Sequence, residues 1–179
     1  MSFASWEEAL GALKQLPAGS KERADACAKV QGAAYWPKKR AEMIAQGAAG
    51  LLARVAREEA GDARLRACDA LGYLASSDDL RGKVCAEGGG EAMITVAREE
   101  PPGSEARLCA VYALMWLAGE LPEVDAATRE LMDQLMREEK KGTPTRLYAE
   151  QALWKIGAPE RRAAAEREAE AAIYRHPSQ

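Results

Sequence analysis

The pentapeptide VAREE occupies residues 55–59 and returns at residues 96–100, 41 positions later. In a chain rich in Ala, Arg and Glu, five identities can be an accident of composition, so the flanks decide. A shift of 41 lays RAEMIAQGAAGLLARVAREE (40–59) on RGKVCAEGGGEAMITVAREE (81–100). Arg40 meets Arg81, Ala45 meets Ala86, Gly47 meets Gly88, and Leu52 and Val55 meet Met93 and Val96. The apolar matches fall at helical spacing, which is what packing requires of a repeated helix.

A second element recurs more widely. RLRACDALGYLA (64–75) aligns with RLCAVYALMWLA (107–118) and RLYAEQALWKIG (146–157), and an eroded copy, RADACAKVQGAA (23–34), precedes them. The MREE at 136–139 lies 39 residues after the second AREE. The period is about 41 residues. Ala, Leu, Arg, Glu and Met dominate, and apolar residues recur at i, i+3, i+4 and i+7, so every element reads as helix. Breakers separate them at Pro17, Pro37, Gly61, residues 76–79, Pro101, Pro122, Gly142 and Pro159. Residues 77–79, Ser104 and Thr143 read as N-cap regions.

Helical units of this length, stacked in line, predict an all-α, right-handed solenoid. Residues 63–100 resemble one armadillo repeat from end to end. They hold an A-x-x-A-L-x-x-L-A helix, a polar turn, an arginine, an apolar pair, then EGGG and a further helix. The resemblance covers roughly residues 20–157. It implies three to four armadillo-like repeats, with Gly47 and Gly88 at a tight turn where no side chain fits. The divisions expected are an N-terminal capping helix in 1–19, repeats at 20–60, 61–101 and 102–142, a partial repeat at 143–157, and a C-terminal capping helix and tail at 158–179. That last helix either closes the stack or reaches toward a neighbour. The third repeat lacks the glycine turn, so its two helices are expected to fuse or shift.

Projected at 100° per residue, the helix at 64–75 turns Ala67, Cys68, Leu71, Leu74 and Ala75 toward a core, with Asp69 and Tyr73 opposite. The same two slots hold Tyr112 and Trp116 in the next copy and Gln151 and Lys155 in the last. In the armadillo family this helix lines a concave groove, and peptide-binding members carry a Trp and an Asn in these slots. This chain contains no asparagine, so the resemblance does not carry over those members' ligands. What remains is a candidate partner-binding set: Asp69, Tyr73, Tyr112, Trp116, Gln151 and Lys155. Its aromatics either anchor an interface, giving large contact area at low entropy cost, or pack beneath a neighbouring repeat. Met115 and Trp154, in the slots equivalent to Gly72, read as contacts between successive repeats. In VAREE itself, Val55 and Val96 are expected to turn inward and the Arg-Glu-Glu outward.

The remaining features restrict the chemistry. The chain has 179 residues, 47% hydrophobic and 30% charged, with net charge −3 and a pI near 5.4. That balance fits one globular unit and draws nothing toward nucleic acid. No run approaches the roughly 18 apolar residues of a membrane span. Glu7 and Glu8 stand where a signal peptide would be basic, so the reading is a non-secreted, cytoplasmic protein, cytoskeletal and other large complexes included. Cys27, Cys68, Cys85 and Cys109 form no CxxC pair and read as buried thiols. With His176 the only histidine, no metal set and no nucleophile–base pair is expected. The pairs at 58–59, 78–79 and 99–100 read as solvated or capping carboxylates. EGGGEA (87–92) lacks the GK[ST] of a phosphate loop. PKKR (37–40) and ERR (160–162) are short basic patches able to touch an acidic partner.

The function expected is a non-enzymatic interaction module, an adaptor or a subunit of a larger assembly. Its partners would be a peptide or helix segment or neighbouring subunits, with no cofactor, metal, nucleic acid, membrane or small-molecule substrate. The alternatives are a HEAT-like helper of an enzyme or an assembly factor and, further off, a nucleic-acid-binding solenoid, which would need a repeated basic stripe.

Overall fold

Each boundary in the fold follows from a local signal. Ser5, Ser20, Ser104 and Thr143 cap their helices, each side chain accepting the backbone N–H three residues on. Pro37 and Pro144 occupy first-turn positions, where a missing N–H costs nothing. In the computed structural model, which describes residues 3–120, 122–158, 160, 161 and 164, the helices are α1 (Trp6–Ala12), α2 (Lys21–Ala34), α3 (Pro37–Ala45), α4 (Ala48–Glu58), α5 (Gly61–Ala75), α6 (Arg81–Ala86), α7 (Gly89–Glu99), α8 (Glu105–Leu117), α9 (Pro122–Glu138) and α10 (Pro144–Ile156). A 3-10 turn, Asp78–Leu80, leads into α6. Among the described residues there is no strand, and no helix is long and apolar enough to cross a membrane.

The helices form a right-handed α-solenoid of two layers. Helices α2, α5, α8 and α10 pack successively side by side, while α4, α7 and α9 form the second layer against them. Helix α1 packs on α2 as α4 packs on α5. The short α3 and α6 carry the chain across to the second layer. The core stripe of α5 is as its spacing requires: Ala67, Cys68, Leu71, Leu74 and Ala75 are buried. Val55, Val96, Leu52 and Met93 are buried likewise. The unit without a glycine turn has one continuous helix, α9, where its neighbours have two. The expected C-terminal capping helix lies almost wholly outside the described residues.

The glycine turn has a different cause from the one expected. Gly47 and Gly88 adopt φ of +77° and +83°, the left-handed region costly for any residue with a Cβ. Space is not the constraint, because a Cβ on Gly47 would meet nothing within 4 Å. The crowded position is Gly89, where a Cβ would lie 2.6 Å from Val84 Cγ1 and 2.8 Å from the Val84 carbonyl oxygen.

Two expectations about charged residues are overturned. The glutamate pairs that end α4, α7 and α9 are not simply solvated: Glu58 and Glu99 stay exposed, but Glu59, Glu100 and Glu139 are drawn inward. Each pair grips the first-turn arginine of α2, α5 or α8, the helix that opens the same unit. Arg23 Nε lies 2.8 Å from Glu59 and 3.5 Å separates Arg23 from Glu58. Arg64 lies 3.0 Å from both Glu99 and Glu100, and Arg107 meets Glu138 and Glu139. Glu59 and Glu139 are buried. A glutamate at a helix C-terminus and an arginine in a first turn each oppose the helix dipole. Only a partner on another helix offsets that penalty, and here the two misplaced charges satisfy one another. The second correction concerns PKKR. Arg40 is buried rather than offered to a partner, donating to the carbonyls of Ala34 (2.7 Å) and Tyr35 (3.1 Å) and to the hydroxyls of Ser76 (2.8 Å) and Ser77 (3.0 Å). Arg81 repeats the first of these bonds to Ala75 at 3.0 Å.

Candidate functional site

On helices whose buried stripe faces the second layer, the opposite side chains of α2, α5, α8 and α10 are left to line one surface. The expected set divides there. Asp69, Tyr73 and Tyr112 come together around a pocket of about 290 Å³, completed by Leu108, Cys109 and Tyr148. Asp69 also borders a neighbouring cavity of about 260 Å³ with Gln31, Leu65, Arg66, Glu105, Leu108 and Cys109. Trp116 and Lys155 form a second cluster. The Lys155 ammonium sits 4.7 Å from the centre of the Trp116 ring, and the Arg81 guanidinium lies 5.2 Å from it. Gln151 is exposed and lines neither pocket.

Ring contacts join the two clusters. Tyr112 meets Trp116 edge-on at 6.2 Å and Tyr148 at 5.2 Å, and Tyr73 meets Tyr35 edge-on at 5.6 Å. The close approach of Tyr112 depends on Gly72, since a Cβ there would lie 2.9 Å from its ring. Tyr73, Tyr112, Trp116 and Tyr148 are all half-buried, so each presents an edge or face outward. The two alternatives for these aromatics are therefore both partly realised: they pack on one another and remain accessible.

The polar atoms of the site are held in place. Gln31 donates to Asp69 Oδ2, and the Cys109 thiol approaches Asp69 Oδ1 at 4.0 Å. Arg66 is engaged by Gln31 Oε1 at 3.3 Å and by Asp62 at 3.2 Å. Burial, and then the Asp69 charge, push the Cys109 thiol up to about 12. The same two causes raise Tyr73. Burial, followed by the charge of Arg81, lowers Lys155, whose ammonium donates to the Met115 carbonyl at 2.8 Å. A thiol held this firmly neutral is a poor nucleophile. Among the described residues no three His, Cys, Asp or Glu side chains converge as a metal site would need.

Several residues of this surface escaped the sequence reading. Tyr148 belongs to a third slot, one turn before the two chosen, that holds Arg66 and Cys109 in the earlier copies. Continuing the i, i+3, i+7 pattern back from Asp69 and Tyr73 would have found it. Tyr35 and Trp36, both exposed, fall where the 41-residue shift places the turn residues Ser76 and Ser77. Trp36 borders a cavity of about 620 Å³ between α1, α2 and α3, with Trp6, Lys29, Lys39 and Glu42 on its wall. One assignment is reversed: Met115 is buried between repeats as expected, whereas Trp154 is 67% exposed, with only the Arg161 guanidinium over its ring at 5.1 Å. No helix described after α10 packs on that side.

No protein-family model matches this chain, and no curated protein matches its sequence. Solved structures do match its shape. A designed armadillo repeat protein aligns with a TM-score of 0.70 at 16% identity, over 85% of this chain and 69% of the other. A second designed armadillo repeat protein, in complex with the peptide (KR)4, gives 0.69 at 16% identity, over 84% and 64%. An engineered protein gives 0.60 at 16% identity, over 86% of this chain and 48% of the other. This chain thus spans between about half and two-thirds of the length of these structures. Identity this low speaks to architecture alone, and the architecture is an armadillo-like repeat solenoid.

Proposed function

We propose that this chain is a non-enzymatic protein-binding module, an adaptor or a subunit of a larger assembly, that holds a partner segment along the face of α2, α5, α8 and α10. The observation that carries this reading is the row of half-buried aromatics Tyr73, Tyr112, Trp116 and Tyr148 on a face that no other described helix covers. Rigid rings with one side packed and one side accessible lose little entropy on binding, which is why such residues anchor interfaces. The peptide complex formed by a structural neighbour of the same architecture supports the same use of the fold. Burial holds the Cys109 thiol neutral, which favours recognition over nucleophilic chemistry.

The test uses the native protein and a Tyr112→Ala/Trp116→Ala double variant as baits in matched lysates. The variant is expected to keep its helical circular dichroism and to lose the proteins that the native bait retains. A folded variant that recovers the same proteins refutes the reading.

A further inference from the structure

The pocket between α5, α8 and α10 has a composition of its own. Three tyrosines, Tyr73, Tyr112 and Tyr148, and the apolar Leu108 surround Asp69 and Cys109 in about 290 Å³. Among the described residues Asp69 has no cationic partner. One of its oxygens accepts from Gln31, and the other faces only the weak Cys109 donor at 4.0 Å. The nearby Arg66 is turned away to Gln31 and Asp62. A half-buried carboxylate without a counter-ion is costly, and ring faces carry negative potential. Both attract a cation, and the net charge of −3 favours its approach.

The lining also discriminates among cations. A primary ammonium carries three N–H donors and a tight hydration shell, yet Asp69 offers a single open oxygen and the rest of the wall is largely rings and a leucine. A dimethylammonium carries one N–H and two methyl groups, is less costly to desolvate, and matches one open oxygen and several ring faces. From this geometry we infer that the pocket receives a dimethylated lysine side chain of a partner segment. Its N–H donates to Asp69 Oδ1, and its methyl groups rest on Tyr73, Tyr112 and Tyr148. The inference rests on the groove reading and assigns that groove a ligand chemistry.

The experiment titrates ¹⁵N-labelled full chain with three heptapeptides, Gly-Ser-Gly-Xaa-Gly-Ser-Gly, in which Xaa is dimethyllysine, lysine or norleucine. Saturable shifts of the Cys109 and Tyr112 amides are expected with dimethyllysine, at least threefold weaker binding with lysine, and none with norleucine. Asp69→Asn and Tyr148→Leu, each checked for an unchanged melting profile, should weaken binding about tenfold, while Asp133→Asn on the exposed side of α9 should not. Lysine binding as well as dimethyllysine, norleucine binding comparably, or both pocket variants binding like the native chain would each overturn the assignment. The two readings fail separately. If the Tyr112/Trp116 variant loses its captured proteins but methylation makes no difference, the groove stands and the dimethyllysine assignment falls. If the peptides behave as expected but capture is unchanged, the groove reading falls.

Discussion

The Arg23 guanidinium lies 2.8 Å from the carboxylate of Glu59, at the far end of the same 41-residue unit, and both side chains are buried. Glu59 also accepts the N–H of Gly19 at 2.8 Å, and Arg23 donates to the Leu16 carbonyl at 2.8 Å. The pair thus fixes the loop before α2, the start of α2 and the end of α4 in one cluster. Its counterparts at Arg64 and Arg107 make it a recurrent staple that ties the first helix of each unit to its last.

Breaking that staple from one side leaves a buried charge without its partner. Arg23→Met and Glu59→Gln should each lower unfolding free energy by about 3 kcal/mol. The double variant Arg23→Met/Glu59→Leu should lose markedly less than the sum, because both charges are gone. Urea denaturation of the four proteins measures this. Additive losses would show that the two charges do not stabilise one another.

The two glycines at the start of α7 should fail for different reasons. Gly88→Ala places a Cβ at φ +83° with only the tip of the Arg57 side chain near it, at 3.4 Å, costing about 1–2 kcal/mol. Gly89→Ala drives a Cβ into the Val84 side chain and carbonyl, costing about 1–3 kcal/mol through overpacking. A companion Val84→Ala should relieve part of the second loss, since it removes the 2.6 Å contact with Cγ1, and none of the first. Melting of the single and double variants separates the cases.

Alkaline pH should unfold this protein through its thiols. Burial raises Cys27 and Cys109 to about 12 and Cys85 to about 11, and raises Cys68 as well. The unfolded chain loses these protons near the usual value of 9.0, so above that pH the folded state binds more protons than the unfolded one. Stability from these groups is complete below pH 9 and falls as pH rises toward the folded values. Urea midpoints at about pH 7, 9 and 10.5 should decline, and Cys27→Ala should flatten the decline. A thiol reagent at about pH 8 should modify the folded chain slowly, starting at Cys109, the one half-buried thiol of the four.

Thr128 on α9 is fully buried, and its hydroxyl has no hydrogen-bond partner among the described residues. Valine keeps the shape and removes the unsatisfied oxygen, so Thr128→Val should raise stability by about 1 kcal/mol. A lower melting temperature in this variant would contradict the assignment.

Much of this was legible before any coordinates. The 41-residue period, the helical spacing of Leu52, Val55, Met93 and Val96, the caps at Ser104 and Thr143 and the pairing of Asp69 with Tyr73 on one face are all properties of a chain read along its own helices. The Arg-Glu staples left a trace there too: charges set against the helix dipole, at the same place in each repeat, ask for partners elsewhere. The trace names no partner, which is why the glutamates of VAREE looked solvated.

What the sequence by itself determined was the unit: its length, its helices, and which side of each turns inward. Those depend on residues within a turn or two of one another, and periodicity records them directly. Tertiary structure alone decided which helices touch where. It joined Glu59 to Arg23, made Gly89 rather than Gly88 the crowded glycine, brought Tyr148 beside Tyr112, and left Trp154 exposed while burying its counterpart Met115. The physical reason is that helix spacing fixes the direction of a side chain within its own helix, whereas the neighbour it meets depends on the rotation and stagger between helices. That is set by the packing of whole faces.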